Sequence, residues 1–289
     1  MIDIHTHILT VWGGEEAFTE EKLIRRMDEL KIDRFVILPL GASPETPYFY
    51  FGTEDVLEVY HRHPDRVIPF CSLDPRQGYN SPKTDFSWIL NKYKEEGCKG
   101  LGELTANLYF DDPLCLNLYN HCGKVGFPII FHLYDRFGGS YGLVDDIRLP
   151  RLEKALQECP ETIFIGHATA FWSEIDGDVK EETRGGYPAG KIEKEGRLQE
   201  LFRKYPNLYG DLSAGSGFNA ITRDLDYGYR FLEEFQDKLL FGTDLCHVVQ
   251  EVPIVDYFRN GLKEGKISKA TYDKITEENA RKTLTQVAL

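Results

Sequence analysis

The sequence predicts an α/β fold, a parallel (β/α)8 barrel that forms a single domain over residues 1–289. Short apolar runs alternate with amphipathic helical patterns at intervals of about 30 residues. Such alternation is typical of a parallel sheet, because each connection between parallel strands needs a crossover that is usually a helix. Eight runs in 289 residues match a closed barrel in number and length. An open doubly wound sheet is the alternative, but no glycine-rich phosphate loop favours it.

The eight predicted strands are short runs rich in Ile, Val, Leu and Phe. They cover residues 2–7, 34–39, 67–73, 98–104, 128–134, 162–168, 207–214 and 238–245. Amphipathic patterns between them predict helices over residues 20–30, 54–60, 86–96, 114–125, 152–158, 198–205 and 225–235. Three further helices are predicted after the last strand, where we expect them to pack on the barrel, over residues 254–263, 269–276 and 277–283.

The connection after the sixth predicted strand, residues 169–196, is much longer than the others. It is rich in glycine and in charged residues. Long loops within compact domains are usually lids or binding elements, so we expect this segment to contribute to a site. A mobile surface insertion is the alternative.

Composition and charge narrow the class of function. The chain carries a formal net charge of −13 at pH 7, which disfavours binding to nucleic acid or to anionic membranes. No apolar run approaches the roughly 20 residues of a membrane span, and no signal-peptide pattern precedes the first strand. The six cysteines show no paired spacing, so we expect buried free thiols. These features predict a cytoplasmic protein with a small-molecule substrate, and they leave open whether it forms a homo-oligomer.

Two histidines, His5 and His7, end the first apolar run. Side chains on a strand repeat every second residue, so these two imidazoles point the same way, about 7 Å apart along the backbone. That spacing lets them bind one metal ion from the same side. His61 and His63 have the same spacing but end a helical pattern, where residues two apart are separated by roughly 200° around the axis. We therefore expect no chelation by the second pair.

Four more candidate ligands end other predicted strands. Glu103 ends the fourth, His132 the fifth, His167 the sixth and Asp244 the eighth. Strand ends of a barrel converge on one mouth, so these groups are expected to meet there. Four imidazoles and two carboxylates suit one or two ions of Zn²⁺, with Mn²⁺ or Fe²⁺ as alternatives, better than Ca²⁺ or Mg²⁺. Each residue alone has another explanation, such as a hydrogen-bonded core histidine, a paired buried acid or a helix N-cap.

With these motifs in place, the chain resembles the amidohydrolase superfamily, close to the branch called amidohydrolase 2. The matching motifs are Asp3-x-His5-x-His7, Gly102-Glu103, Phe131-His132, Gly166-His167-Ala168, Phe241-Gly242-Thr243-Asp244 and Glu278-Asn279-Ala280. The resemblance implies that His5, His7 and Asp244 bind one metal. It also implies that His132 and His167 bind a second metal if the site is binuclear, with Glu103 bridging. In the mononuclear branch of the superfamily, His167 would be catalytic instead of a ligand.

The predicted function is metal-dependent hydrolysis of a small amide, lactone or ester. A divalent metal acidifies water, and Asp244 could accept the released proton and pass it to the leaving group. In a mononuclear site, His167 would polarise the scissile bond. Two alternatives are a metal-dependent non-oxidative decarboxylase and a TatD-like nuclease or phosphoesterase, of which the second fits the negative net charge poorly.

Three residues are candidates for substrate binding. Arg136 and Arg223 follow predicted strands, and an arginine near a barrel mouth suits a carboxylate or phosphate because guanidinium binds such groups bidentately. The alternative for each is a surface arginine paired with an acid such as Asp224. Trp172 lies close to His167 in the sequence, where its flat apolar face could form a wall of the pocket.

Overall fold

The computed structural model describes residues 1–9, 16–46 and 51–284. Each of the eight predicted apolar runs contains a strand, and one further short strand, β6, was not predicted. The strands are β1 Ile2–Thr6, β2 Arg34–Ile37, β3 Val67–Pro69, β4 Leu101–Leu104, β5 Ile129–Tyr134, β6 Leu143–Val144, β7 Phe164–His167, β8 Leu208–Asp211 and β9 Leu239–Leu240. Each of the other eight strands is shorter than the run that predicted it. The additional strand β6 pairs with β5.

The strands form two parallel sheets, and hydrogen bonds join the two edges of one sheet to the two edges of the other. Their orders are β1-β2-β3 and β4-β5-β7-β8-β9, with every pairing parallel. One junction lies between β3 and β4. The amide of Cys71, two residues after β3, donates to the carbonyl of Gly100, the residue before β4, over 3.0 Å. On the other side, the amide of Ile4 in β1 donates to the carbonyl of Phe241, just past β9, over 3.1 Å. These bonds join eight strands in a ring, and the predicted α/β barrel class is confirmed.

Helices follow the strands and cover the outside of the ring. They are α1 Glu20–Glu29, α2 Thr53–Arg62, α3 Ser87–Glu95, α4 Pro113–Val125, α5 Pro150–Glu158, α6 Thr169–Trp172, α7 Arg197–Lys204, α8 Ala214–Thr222, α9 Leu225–Glu234, α10 Ile254–Lys263, α11 Lys269–Asp273 and α12 Asn279–Leu284. A π-helical segment, Lys274–Glu278, joins α11 to α12. The sequence did not predict α8, nor the short α6 within the long connection. Among the described residues, no helix is both long and apolar enough to cross a membrane.

Sequence signals explain where some helices begin and end. Asp112 caps α4, since its side chain accepts a hydrogen bond from the Leu114 amide, and Pro113 occupies the first helical position. Gly126 ends the same helix with φ at +85°, a conformation that glycine adopts without strain.

Alternate residues of the strands contribute to two apolar clusters. Phe35 and Ile37 of β2 belong to the larger cluster, together with helix residues such as Leu23. Val36 belongs to the smaller cluster, which is formed mostly by strand residues and includes Ala280 of α12. The larger cluster therefore lies between strands and helices, and the smaller one fills the inside of the ring. All six cysteines are free thiols, and five of them are buried.

Candidate metal centre and active site

The six predicted metal ligands lie together at the carboxyl ends of the strands. They are His5 in β1, His7 just beyond β1, Glu103 in β4, His132 in β5, His167 at the end of β7 and Asp244 beyond β9. Two of the side chains keep some exposure, 16% for His132 and 25% for Asp244, and the other four are buried. The barrel therefore brings together residues that are far apart in the sequence.

A first group of donor atoms surrounds the paired imidazoles of His5 and His7. Their Nε2 atoms lie 3.0 Å apart, and Oδ1 of Asp244 lies 3.4 Å from each of them. The backbone amide of Asp244 donates to the His5 carbonyl over 2.8 Å, which holds the carboxylate beside β1. These three side chains could share one cation.

A second group of donor atoms is formed by Glu103, His132 and His167. Oε1 of Glu103 lies 2.7 Å from Nδ1 of His132 and 3.9 Å from Nε2 of His167. The other carboxylate oxygen, Oε2, lies 3.8 Å from Nε2 of His5 and 3.7 Å from Nε2 of His7. The two oxygens of Glu103 thus face different groups of ligands, an arrangement that suits a carboxylate bridging two cations.

Hydrogen bonds to the outer nitrogens of His5 and His7 show that the first group suits a cation. His7 Nδ1 lies 3.0 Å from the Leu38 carbonyl, which only accepts, so we assign the proton to Nδ1. His5 Nδ1 lies 2.6 Å from the carboxylate of Asp211, which implies the same tautomer. In the neutral rings, the two Nε2 atoms therefore turn lone pairs toward each other. A cation relieves that repulsion, and imidazole with carboxylate is a donor set for Zn²⁺, Mn²⁺ or Fe²⁺.

Comparison with known proteins gives the family. A model of the amidohydrolase family matches residues 2–285, nearly the whole chain. The chain belongs to the amidohydrolase family. Membership of this family identifies it as an enzyme. Comparison with curated protein sequences gave no significant match.

Solved structures of similar fold differ strongly from this chain in sequence. An uncharacterized TIM-barrel protein from Bordetella bronchiseptica aligns with a TM-score of 0.67 and 16% identity over 100% of both chains. A probable 2-pyrone-4,6-dicarboxylic acid hydrolase from Acinetobacter baumannii aligns with a TM-score of 0.60 and 15% identity over 98% of both chains. A 2,6-dihydroxybenzoate decarboxylase from Rhizobium aligns with a TM-score of 0.60 and 16% identity over 99% of this chain and 98% of the other. At these identities the likeness establishes the barrel fold.

The acids of the amidohydrolase site are held ionised. Burial alone would raise the pKa of Glu103, but its interactions with His132 and His5 lower that pKa well below the usual range. Burial also opposes ionisation of Asp244, whose pKa is nevertheless lowered by the charge of His5 and a hydrogen bond with His7. Both carboxylates are therefore ionised and available to bind a cation at neutral pH.

Sequence reasoning missed one central residue, Asp211, at the end of β8. Its Oδ2 lies 2.6 Å from His5 Nδ1 and 3.0 Å from His167 Nδ1. Burial alone would lower the pKa of His167, but the hydrogen bond and charge of Asp211 raise it to about 9. Asp211 ends β8, but it lies inside the predicted run of residues 207–214, so the sequence did not mark it as a strand end.

A cavity of about 60 Å³ lies over the ligands. Its described lining residues are His7, Leu9, Leu40, Thr46, Glu103, His132, Tyr141, His167, Asp244 and Cys246. Tyr141 packs against His132 with ring centroids 4.7 Å apart. The described lining combines the candidate ligands with several apolar side chains, which is the usual character of a small-molecule site.

Trp172 lies behind this cavity, in the apolar core. The side chain is buried, and its Nε1 donates to the backbone carbonyl of Asp211 over 2.8 Å. Its ring packs edge-on against Phe171. Trp172 is therefore placed to support Asp211, and its contact with a substrate stays a prediction.

The two candidate arginines occupy different settings. Arg136 is 69% exposed and lies in a cleft of about 500 Å³ with Gly185 and Tyr187 from the long connection. Arg223 is 5% exposed and pairs with Asp176 over 2.9 Å. Neither arginine is among the described residues that line the 60 Å³ cavity. Their roles in substrate binding stay predictions. Asp176, the acid that pairs with Arg223, belongs to the long connection.

The comparison pair His61 and His63 lies at the end of α2. The helix ends at Arg62, and His63 Nε2 lies 2.7 Å from Oε1 of Glu20. This contact engages Nε2 of His63, and the pair lies at a helix end, as predicted.

Proposed function

We propose that this amidohydrolase is a metal-dependent hydrolase that cleaves a small amide, lactone or ester. The observation that carries the proposal is the position of Glu103, whose two carboxylate oxygens face different histidines, Oε1 toward His132 and Oε2 toward His5 and His7. A site for two cations is typical of enzymes that activate water for hydrolysis.

The residues divide between two cation positions. His5, His7 and Asp244 would hold one ion, His132 and His167 the other, and Glu103 would contact both. Zn²⁺ is the preferred ion because imidazole nitrogen dominates the donor set, with Mn²⁺ and Fe²⁺ as alternatives. When bound, such an ion supplies Lewis acidity, which makes water more acidic and polarises an acyl oxygen.

Asp244 is the proposed proton carrier. Its lowered pKa leaves the carboxylate ionised at neutral pH, so it can accept a proton from the attacking water. Its side chain is 25% exposed and lines the cavity, so the same group can reach a leaving atom of the substrate. Leu9 and Leu40 are buried apolar residues that also line the cavity.

A decarboxylase is the second candidate, and one observation favours it. Asp211 raises the pKa of His167 to about 9, so this buried imidazole can carry a proton at neutral pH when it is not a ligand. Replacement of a carboxylate by hydrogen needs a proton donor at the carbon that loses carbon dioxide. In this alternative a single cation would lie at His5 and His7, and His167 would be the acid.

Metal content separates the two candidates. We expect about two ions per chain, counted by elemental analysis of purified protein, and about one ion in the variant Glu103→Gln, because an amide nitrogen is a donor and does not bind a cation. Glu174→Gln is the matched control, since Glu174 is equally buried but lies outside the site. It should keep the wild-type count.

A substrate panel then tests the reaction. Lactones, esters and amides would be assayed beside phosphodiesters and hydroxylated aromatic acids, with carbon dioxide release measured for the last group. Hydrolysis of a carboxylic acid derivative by protein with two ions supports the proposal. One ion per chain together with carbon dioxide release would replace it with the decarboxylase.

A further inference from the structure

We propose that Asp211 is a positioning residue that orients one ligand in each cation group, His5 in the first and His167 in the second. The inference rests on the proposed metal-dependent function and deepens it. The carboxylate lies behind both imidazoles, on the side opposite their Nε2 atoms. Asp211 therefore links the two cation positions through the Nδ1 atoms of their histidines. Glu103, in contrast, would contact the cations themselves.

The contacts of Asp211 converge on one oxygen. Oδ2 lies 2.6 Å from His5 Nδ1 and 3.0 Å from His167 Nδ1, and it accepts a hydrogen bond from Ser213 Oγ over 2.7 Å. The same hydroxyl oxygen lies 3.0 Å from His167 Nδ1, where it can accept from the ring N–H while its own hydrogen points to Asp211. An imidazole nitrogen that faces an ionised carboxylate carries the proton, which leaves Nε2 of the neutral ring as a lone pair. In both histidines, this is the atom that a metal would bind.

Asp211 is itself held rigidly. It is completely buried, and its Oδ1 accepts a hydrogen bond from the backbone amide of Ser213 over 2.9 Å. Its own carbonyl accepts from the Trp172 indole over 2.8 Å. A carboxylate with so little freedom imposes its direction on both imidazoles.

The partners of Asp211 make asparagine an informative substitution. The backbone amide of Ser213 donates to Oδ1, and the two imidazoles and the Ser213 hydroxyl face Oδ2. An amide nitrogen at either position would therefore meet a donor. Asp211→Asn must either leave a buried donor unpaired or turn one imidazole to the tautomer with hydrogen on Nε2.

Cobalt binding measures the first consequence. We expect Asp211→Asn to bind Co²⁺ about 10–100-fold more weakly than the wild type and to show an altered visible absorption spectrum, as for other residues that orient metal ligands. Asp145→Asn is the control, because Asp145 is another completely buried carboxylate with contacts outside the site. It should bind Co²⁺ like the wild type. Wild-type affinity in Asp211→Asn would overturn the proposal.

Imidazole tautomers give a readout that needs no metal. Chains labelled with ¹⁵N-histidine are examined by NMR in metal-free solution at about pH 10, where imidazole is neutral, with His5→Gln and His167→Gln used for assignment. We expect hydrogen on Nδ1 of both histidines in the wild type, and a switch of at least one in Asp211→Asn. Hydrogen on Nε2 of either histidine in the wild type overturns the proposal, even if the variant fails to fold. If the wild type binds no Co²⁺, the proposed function fails while the tautomers still decide the role of Asp211.

Discussion

Asp244 shows how one residue can combine two tasks in this site. Its Oδ1 lies within 3.4 Å of both His5 and His7, yet part of the side chain remains exposed to the cavity. The proposed roles of metal ligand and proton carrier therefore fall on the same carboxylate. The two tasks can be separated by a substitution that keeps an oxygen but removes the charge.

Asp244→Asn should retain most of the metal and lose turnover. Its amide oxygen still binds a cation, but the group no longer accepts a proton, and loss of a general base costs about 10²–10⁴ in kcat. Steady-state kinetics and elemental analysis of the same preparation check this. Asp146→Asn, which changes an acid that is 59% exposed, is the control and should keep both properties. Full activity in Asp244→Asn would refute the assigned role.

The pKa of His167 predicts how the metal-free protein responds to pH. This pKa is raised from 6.5 to about 9, so protonated His167 stabilises the fold fully below about pH 6.5. That stabilisation is lost as the pH rises through 9. We expect the urea midpoint of chelator-treated protein to fall between pH 6.5 and 9.5, and to fall less in His167→Gln. The buried acids Asp3 and Asp145 also have raised pKa values of about 7, but they are present in both proteins and cancel in the comparison. Equal falls in both proteins would contradict the prediction.

At the scale of single residues, the sequence predicted the residues that gather at the site but not those that support them. Each predicted ligand has a chemical type that stands out at a strand end, as His132 does. Asp211 acts by contacts with β1 and β7, which are distant in sequence, so no local pattern marks it. The sequence suggested that Arg223 pairs with an acid such as Asp224. In the structure its partner is Asp176, whose position depends on the path of the long connection.

At the scale of elements, the strands were easier to predict than the helices around the site. Apolar runs mark strands because buried parallel strands are apolar on both faces. Helix α8 was missed because its sequence contains Gly215 and Gly217, which disfavour helices. The structure requires the second glycine, since a Cβ on Gly217 would lie 2.4 Å from the backbone of Leu212. Close packing against the end of β8 therefore outweighs the weak helix propensity.

A similar close contact in β7 gives a prediction for its packing. A Cβ on Gly166 would lie 2.3 Å from the ring of Phe171, which is fully buried beside the site. Gly166→Ala should lower the free energy of unfolding by about 1–3 kcal/mol, because the ring must move within a dense core. Chemical denaturation measures this. Gly186→Ala, whose Cβ would have its nearest contact at 3.6 Å, is the control and should change stability by less than about 0.5 kcal/mol. Equal stability of the two variants would contradict this account of β7.

At the scale of the whole molecule, closure of the ring assembles the site. The ligands come from β1, β4, β5 and β7 and from the segment beyond β9, so they meet only when the eight strands are paired. This explains why the sequence could predict the site once the barrel was predicted. It also means that the unfolded chain has no comparable site, so the proposed metal binding would be coupled to folding of the barrel.

This coupling predicts that the cation stabilises the entire barrel. With free Zn²⁺ at 100 times its dissociation constant, binding to the native state alone adds about 2.7 kcal/mol to the free energy of unfolding. For a chain of this size, we expect the thermal midpoint to rise by roughly 4–5 °C above that of chelator-treated protein. Calorimetry at several Zn²⁺ concentrations checks the size of the shift and its dependence on concentration. The double variant His5→Gln/His7→Gln lacks the first group of ligands and should respond much less. A midpoint that is the same with Zn²⁺ and with chelator in the wild type would show that these strand ends do not form a metal site.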